Sequence, residues 1–232
     1  TYNGFSLEEK CVLYKNYVTL MSVLEKYLVT MQRGGIEQSR IYNVDYTYID
    51  LTDTDMEFPA EAQVLGKDTL YKLFVLPSLN NLQTLAVPMR DMQMTELDLI
   101  GLMTWCLFDP DLPRMPRDAR FKLDQIRSKV HEQWLNFYEL HGVPNGQLRI
   151  ARCLSLLPVT NKIAERFKEN FHLFRVFGLF NYDAVLGEIF DFPNAQPPAP
   201  VPVIVQNENV SNIVVNGDFA SGSQSQKMET DE

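Results

Sequence analysis

The chain has 232 residues, of which 45% are hydrophobic and 22% are charged, an ordinary balance for a soluble globular protein with one sizeable core. Its net charge of −9 repels phosphate, and it contains no run of five basic residues, so nucleic-acid binding by this chain alone is not expected. We find no signal-peptide pattern and no apolar run that approaches the length of a membrane span.

The three cysteines, Cys11, Cys106 and Cys153, are far apart in sequence, and each lies in an apolar run. Zinc sites need closely spaced Cys or His pairs, and the chain has none. The pattern predicts three buried free thiols in a reducing compartment, with no bound metal and no cofactor.

The first predicted element is a helix over residues 6–31. Ser6 and Glu9 have capping-box spacing at its start, and Gly34 with the next glycine ends its broad apolar pattern. Residues 41–51 alternate in part between apolar and polar side chains, which predicts a short hairpin.

Residues 59–76 and 78–90 carry short helical patterns. Prolines are expected to break them, at Pro59, Pro77 and Pro88. Thr95 and Asp98 form a second capping signal, before a helix that ends at Asp109-Pro110.

Three more helices are predicted in the second half, over residues 117–141, 147–177 and 182–190. In the first of them we expect five inward side chains: Phe121, Ile126, Val130, Leu135 and Tyr138. The second is expected to kink at Pro158. From residue 193 the chain is rich in Pro, Asn, Ser and Gln, which predicts a disordered tail.

Sequence motifs of catalysis are not found: the chain has no phosphate-binding glycine loop, no nucleophile elbow and no zinc-protease helix. The histidines, His131, His141 and His172, lie apart from any nucleophile pattern. We therefore predict that the chain is not an enzyme.

The predicted last helix carries two apolar pairs around one carboxylate, Glu188, within residues 185–190. The pairs share one stripe, and Glu188 lies at the margin of that stripe. Such a helix can dock reversibly and offer its carboxylate to the N-terminus of a partner helix. Taken alone, these six residues favour the alternative, a terminal helix packed permanently into a core.

Three segments, in order and at compatible spacing, resemble the ligand-binding domain of nuclear receptors. Residues 5–15 resemble the family signature, with Lys10 where the family usually has Gln; residues 107–111 resemble the end of the family's eighth helix, and residues 185–190 its activation helix. Residues 149–190 also resemble the retinoid X receptor. As a whole the chain looks most like the expanded nematode group of receptors related to hepatocyte nuclear factor 4.

The resemblance implies an all-α fold, a layered helical sandwich with one small β-hairpin. It assigns residues 1–192 to a partial ligand-binding domain and leaves 193–232 as the tail. The chain starts where the third family helix ends, so we expect it to lack the first three helices, the lysine they bring to the charge clamp, and the zinc module that binds DNA.

The resemblance further implies a ligand-regulated transcription factor that acts in the nucleus. A small apolar ligand, or constitutive packing, would hold the last helix over a groove. That groove would bind coactivator or corepressor peptides. Glu188 is the expected clamp and Lys15 its candidate counterpart, and four side chains would hold the helix down: Val185, Leu186, Ile189 and Phe190. The candidate pocket residues, each of which also suits plain core, are Met21, Leu24, Phe167, Asn170, Phe171 and Phe174. Residues 147–177 would supply a homo- or heterodimer face. The alternative is a truncated receptor-like protein-interaction module without ligand or DNA binding.

One departure concerns the ligand. Relatives that bind fatty acids or retinoids hold the ligand carboxylate with an Arg near the end of the fifth helix, where this chain has Val29. A carboxylate placed against Val29 would lose water without gaining a partner, which is costly. Arg33 is nearby but lies past that position.

Overall fold

The computed structural model describes residues 2–53, 64–176 and 184–190, with the side chains of Phe174 and residues 184–186 outside that description. A 3₁₀ turn, Tyr2–Gly4, opens the chain. The regular elements that follow are α1 (Leu7–Gln32), α2 (Gly35–Gln38), β1 (Arg40–Tyr42), β2 (Tyr48–Asp50), α3 (Lys67–Leu70), α4 (Leu76–Asn81), α5 (Val87–Asp91), α6 (Glu96–Leu107), α7 (Arg117–Leu140), α8 (Gly146–Leu154), α9 (Leu157–Val176) and α10 (Ala184–Ile189). The all-α fold class with one hairpin is confirmed. Across these ranges no helix is both long and apolar enough to cross a membrane.

Both predicted capping boxes form. At the start of α1, the Ser6 backbone N–H donates to Glu9 Oε2 at 2.7 Å, and the Glu9 N–H donates to Ser6 Oγ at 3.2 Å. Thr95 and Asp98 make the same reciprocal pair before α6, at 2.7 and 3.4 Å. Each box satisfies backbone donors that the first helical turn leaves unpaired, so the local sequence fixes where these helices begin.

Helix α1 is central to the structure, because it packs against α6, α9, β1 and the 82–86 segment. The main core gathers around it; its fully buried members include Leu24, Val75, Leu85, Met89, Leu102 and Cys153. A smaller second cluster joins the start of α1 to the start of α7 through Phe5, Leu13, Leu112, Met115, Ala119 and Leu123. The predicted hairpin is also confirmed: β1 and β2 pair antiparallel, and Ile41 lies opposite Ile49.

The predicted helix breaks at Pro77 and Pro88 are wrong, because the chain stays helical throughout residues 67–91. A π-helical segment lies before each proline, at Tyr71–Val75 and Leu82–Ala86. In both, the N–H of the residue just before the proline donates to the carbonyl five residues earlier. The wider turn makes room for the proline ring, which would clash with the carbonyl in a regular α-helix. Pro59 lies outside the described residues.

The single helix predicted over residues 147–177 is two helices in the structure, α8 and α9. The predicted kink at Pro158 is therefore wrong. The break falls at Ser155-Leu156. Pro158 is the second residue of α9, where a backbone N–H would have no partner within the helix in any case. The proline therefore starts a new helix instead of bending an old one.

Two predicted burials are also wrong. Cys11 is exposed, because Leu13, two residues along α1, faces the second core cluster and turns Cys11 to the other side of the helix. Phe121 is 66% exposed for the same reason, since Ala119 and Leu123 on either side of it are the buried positions. The other two thiols are buried as predicted, and burial raises the pKa of Cys106 and of Cys153 to about 12.

A buried ion pair ties α6, α7 and α8 together. The Asp98 side chain is fully buried and accepts two hydrogen bonds from the Arg149 guanidinium, each 2.7 Å long. The Tyr138 hydroxyl donates to the same carboxylate, as does the hydroxyl of Thr95. Burial alone would raise the pKa of Asp98, but these hydrogen bonds outweigh it and hold the pKa below its ordinary value.

Candidate functional site

Three phenylalanines attach α10 to α9. The rings of Phe190 and Phe171 are stacked with centroids 5.0 Å apart and an interplanar angle of 23°. Phe167 meets both rings edge-on, at 4.7 Å from Phe171 and 6.4 Å from Phe190. These separations are typical of favourable aromatic pairs. The structure thus brings two predicted pocket residues and one predicted coactivator-site residue together in a single cluster.

Glu188 is exposed on α10, while Ile189, the last residue of this helix, and Phe190, which directly follows it, are partly buried. This is the arrangement that a docked helix with an outward carboxylate requires, because the apolar side chains take the contact and the acid stays in water. The side chains of Val185 and Leu186 lie outside the described residues, so their predicted role stays a prediction.

Lys15 is partly buried on the first half of α1. It shares that half of the helix with several exposed side chains, among them Cys11 and Tyr14. In the predicted clamp, a lysine here would offer its charge to the C-terminal end of a bound helix, whose free carbonyls carry a partial negative charge. Its pairing with Glu188 as the two ends of a clamp stays a prediction.

The remaining pocket candidates lie in different surroundings. Leu24 is fully buried in the main core, whereas Met21 and Asn170 are partly buried. The Phe174 side chain lies outside the described residues. A surface groove of about 820 Å³ occurs elsewhere, between the end of α6 and α7, and Trp105, Arg120 and Arg127 are among its lining residues. None of the pocket candidates lines this groove.

A polar stripe on α1, made of Thr19, Ser22 and Lys26, was missed in the sequence. The three residues follow the i, i+3, i+7 spacing that places side chains on one helix face. A sequence signal was present, because Lys26 interrupts the broad apolar pattern of the helix predicted over residues 6–31. A cation at such a position indicates either a buried partner or a bound anion.

The end of the stripe lies near the hairpin. Four residues after Lys26, the Thr30 hydroxyl accepts the backbone N–H of Tyr42 at 3.0 Å and so joins α1 to β1. The Arg33 guanidinium lies 4.2 Å from the centroid of the Tyr46 ring. Val29, where the family resemblance places a ligand-binding Arg, is partly buried.

The model of one protein family, described as the ligand-binding domain of nuclear hormone receptor, matches residues 2–177. The chain belongs to this family. The match covers the chain from the 3₁₀ turn to the end of α9, which includes the polar stripe, the hairpin and the Asp98–Arg149 ion pair. The family resemblance stated from sequence is therefore confirmed.

Curated relatives agree with the family. The chain is 23% identical over 188 residues to the "High zinc activated nuclear receptor protein" of Caenorhabditis elegans, which covers 78% of this chain and 45% of the relative. It is 24% identical over 192 residues to the nuclear hormone receptor family member nhr-86 of the same organism, covering 78% and 47%. A zebrafish retinoid receptor, RXR-beta-B, is 31% identical over 113 residues, covering 49% of this chain and 26% of the relative. The chain spans about half the length of the nematode relatives.

We predict that the purified protein carries no stoichiometric zinc, although one relative is named for zinc activation. Within residues 2–53, 64–176 and 184–190, no three His, Cys, Asp or Glu side chains lie close enough together to hold a metal ion. The thiols of Cys106 and Cys153 have raised pKa values, which disfavours the thiolate form that binds zinc. Elemental analysis of the purified protein checks this, and about one zinc per chain after dialysis would contradict it.

Proposed function

We propose that the chain is the ligand-sensing and coactivator-recruiting part of a transcription regulator that acts in the nucleus. One observation supports this proposal most: α10 is attached to α9 by Phe190, while Glu188 on the same helix is exposed. A helix of only six residues is short enough that a modest free energy can shift it between docked and undocked positions. DNA binding would belong to a zinc module that these residues do not contain.

The proposed switch is a population shift. A ligand that binds better when α10 is docked favours the docked state by no more than its difference in affinity for the two states. Docked α10 presents Glu188 to the N-terminus of a partner helix, and Lys15 stands at the other end of that helix as its counterpart. Ile189 and Phe190, with Val185 and Leu186, hold α10 in place.

The aromatic cluster also favours a second candidate function, that of a protein-interaction module that needs no ligand. Phe167 and Phe171 contact Phe190, so an intramolecular ring fills part of the volume assigned to a ligand. In that case α10 would be docked constitutively and would recruit partners at all times. Either candidate is consistent with dimer formation through α8 and α9, where Leu148 and Val176 are exposed. We assign no catalytic activity in either case.

The proposed function is tested by deleting residues 184–190 from the full-length protein. Binding of a fluorescent leucine-rich coactivator peptide, measured by anisotropy, should fall below detection, because the carboxylate and its supporting side chains are removed together. A matched deletion of residues 196–232 should bind the peptide like the parent and melt at nearly the same temperature, because that composition predicts a tail outside the fold. Unchanged peptide binding after loss of residues 184–190 would rule out the proposed role of α10.

A further inference from the structure

We infer that a narrow groove between the 3₁₀ turn that opens the chain and α7 is a docking site for an acidic, extended segment of a partner protein. The groove has a volume of about 190 Å³ and is lined by Gly4, Phe5, Lys122, Gln125, Ile126 and Lys129. It includes neither α10 nor Lys15, so it would be a second interaction surface beside the one in the proposed function.

The apolar lining of the groove belongs to the core of the protein. Phe5 is only 5% exposed and is a member of the second core cluster, which joins the start of α1 to the start of α7. Ile126 is partly buried and packs against the same cluster. A partner can therefore bury an apolar side chain against residues that the fold already holds in place, which limits the entropy lost on binding.

Two lysines border this apolar lining. Lys122 and Lys129 are exposed, and neither makes a hydrogen bond or an ion pair with any residue in the ranges that the structure describes. The exposed acids Asp118 and Glu132 lie one helical turn beyond them on α7 but do not pair with them. Both ammonium groups are thus available to a partner. On a chain with a net charge of −9, this pair favours an acidic partner for the groove.

The spacing of the lysines indicates the form of the partner. Seven residues of helix place Lys122 and Lys129 on one face, about 10 Å apart along the axis. In an extended segment every second side chain lies on the same side, and two acids four residues apart span about 13 Å. Long lysine side chains can reach both acids, while the residue midway between the acids faces the groove. The geometry fits the pattern acid-x-apolar-x-acid.

An extended partner fits this groove better than a helical one. A helix is about 10–12 Å across and docks several apolar side chains along a longer groove. The groove beside α7 has room for about one large side chain. Gln125 lies between the two lysines, is exposed, and has no hydrogen bond to the described part of the chain. Its amide can donate to and accept from the backbone groups that an extended segment leaves unpaired.

The test measures binding of a fluorescent peptide, Ser-Glu-Ser-Leu-Ser-Glu-Ser, to the full-length protein by anisotropy at low salt. Replacing the leucine by serine, or both glutamates by glutamine, should weaken binding about tenfold. Lys122→Glu with Lys129→Glu should abolish binding, whereas Lys122→Arg with Lys129→Arg should keep most of it. Lys72→Glu with Lys162→Glu, at two exposed lysines outside the groove, makes the same change in net charge and should leave the affinity unchanged.

A further variant leaves both lysines in place. A Cβ added at Gly4 would meet no atom within 4 Å, so Gly4→Glu adds a negative charge at the rim of the groove without a clash. It should weaken binding of the peptide by repulsion and leave the melting temperature unchanged. Gly4→Gln, which has the same size and no charge, should weaken binding less.

The outcomes distinguish a partner segment from other occupants. If the peptide does not bind the parent, or binds the parent and the lysine-to-glutamate variant equally, the groove is not a docking site for an acidic segment. The chain ends in acids of its own, Glu229, Asp231 and Glu232. If replacing these three by their amides strengthens peptide binding about tenfold, the chain's own end occupies the groove and the inference is overturned. In every variant the leucine-rich coactivator peptide should bind as it does to the parent, so failure of this inference leaves the proposed role of α10 standing.

Discussion

Replacing Asp98 by Asn should lower the free energy of unfolding by about 3–5 kcal/mol, the range expected when one partner of a buried ion pair is removed. The Asp98 side chain is fully buried, and the Arg149 side chain is only 22% exposed. In the variant, the Asn oxygen can accept only one of the two guanidinium bonds, and the amide NH2 that replaces the other oxygen is a donor that faces donors. The bonds from Arg149 to the carbonyls of Met92 and Gln93 remain. Urea denaturation followed by circular dichroism measures the change.

A matched control and the pH dependence make this prediction sharper. Asp124→Asn, at an exposed position of α7, should change stability by less than about 0.5 kcal/mol. Because the folded-state pKa of Asp98 is lowered, its contribution is fully present above its unfolded pKa of about 4 and is lost as the pH falls through the folded-state value. The stability gap between parent and Asp98→Asn should therefore shrink below about pH 4. A gap that stays constant in acid would show that the charge on Asp98 is not the cause.

Features that depend on a few neighbouring residues could be predicted from the sequence. The capping boxes at Ser6 and Thr95 depend on a three-residue spacing, and the hairpin depends on local alternation, so each was recognisable without tertiary information. The family resemblance rested on similar short segments and held over residues 2–177.

Features that depend on distant residues could not be predicted in this way. Asp98 looked like a capping residue, but its second role depends on Arg149, which lies 51 positions later. Gly101 gave no signal either, yet a Cβ there would lie 2.2 Å from the Trp134 ring, so glycine allows α6 and α7 to approach closely. The continuous helix through Pro77 depends on a π turn that hydrophobic periodicity does not reveal.

The candidate site was predictable only in part, for the same reason. The outward carboxylate and inward apolar residues of α10 follow from helical spacing, and they agree with the exposure of Glu188. The contact between Phe190 and Phe171 joins residues on separate helices, and no sequence pattern specified it. Lys26 was visible as a charge in an apolar pattern, but its interaction with Asp45, 19 positions later, is a property of the folded structure.

Replacing Glu188 by Ala in the full-length protein should weaken binding of a leucine-rich coactivator peptide by about 10–100-fold and leave the melting temperature unchanged. A charge-assisted hydrogen bond from this carboxylate to the N-terminal N–H groups of a partner helix is worth about 1.5–3 kcal/mol, which gives the expected loss of affinity. Glu188 is exposed, so its removal should have little effect on folding. Fluorescence anisotropy and thermal melting measure the two effects separately.

Phe190→Ala should instead reduce both affinity and stability, because the ring contacts Phe171 and Phe167 and anchors α10 to α9. Glu132→Ala, at an exposed acid of α7, is the matched control and should change neither. The difference between the Glu188 and Phe190 variants is the decisive result. In a switch helix, one residue anchors the helix and a different residue recognises the partner, so the two variants should affect stability and affinity differently. If Glu188→Ala binds the peptide like the parent while Phe190→Ala only lowers the melting temperature, α10 is a permanent part of the core and recruits nothing.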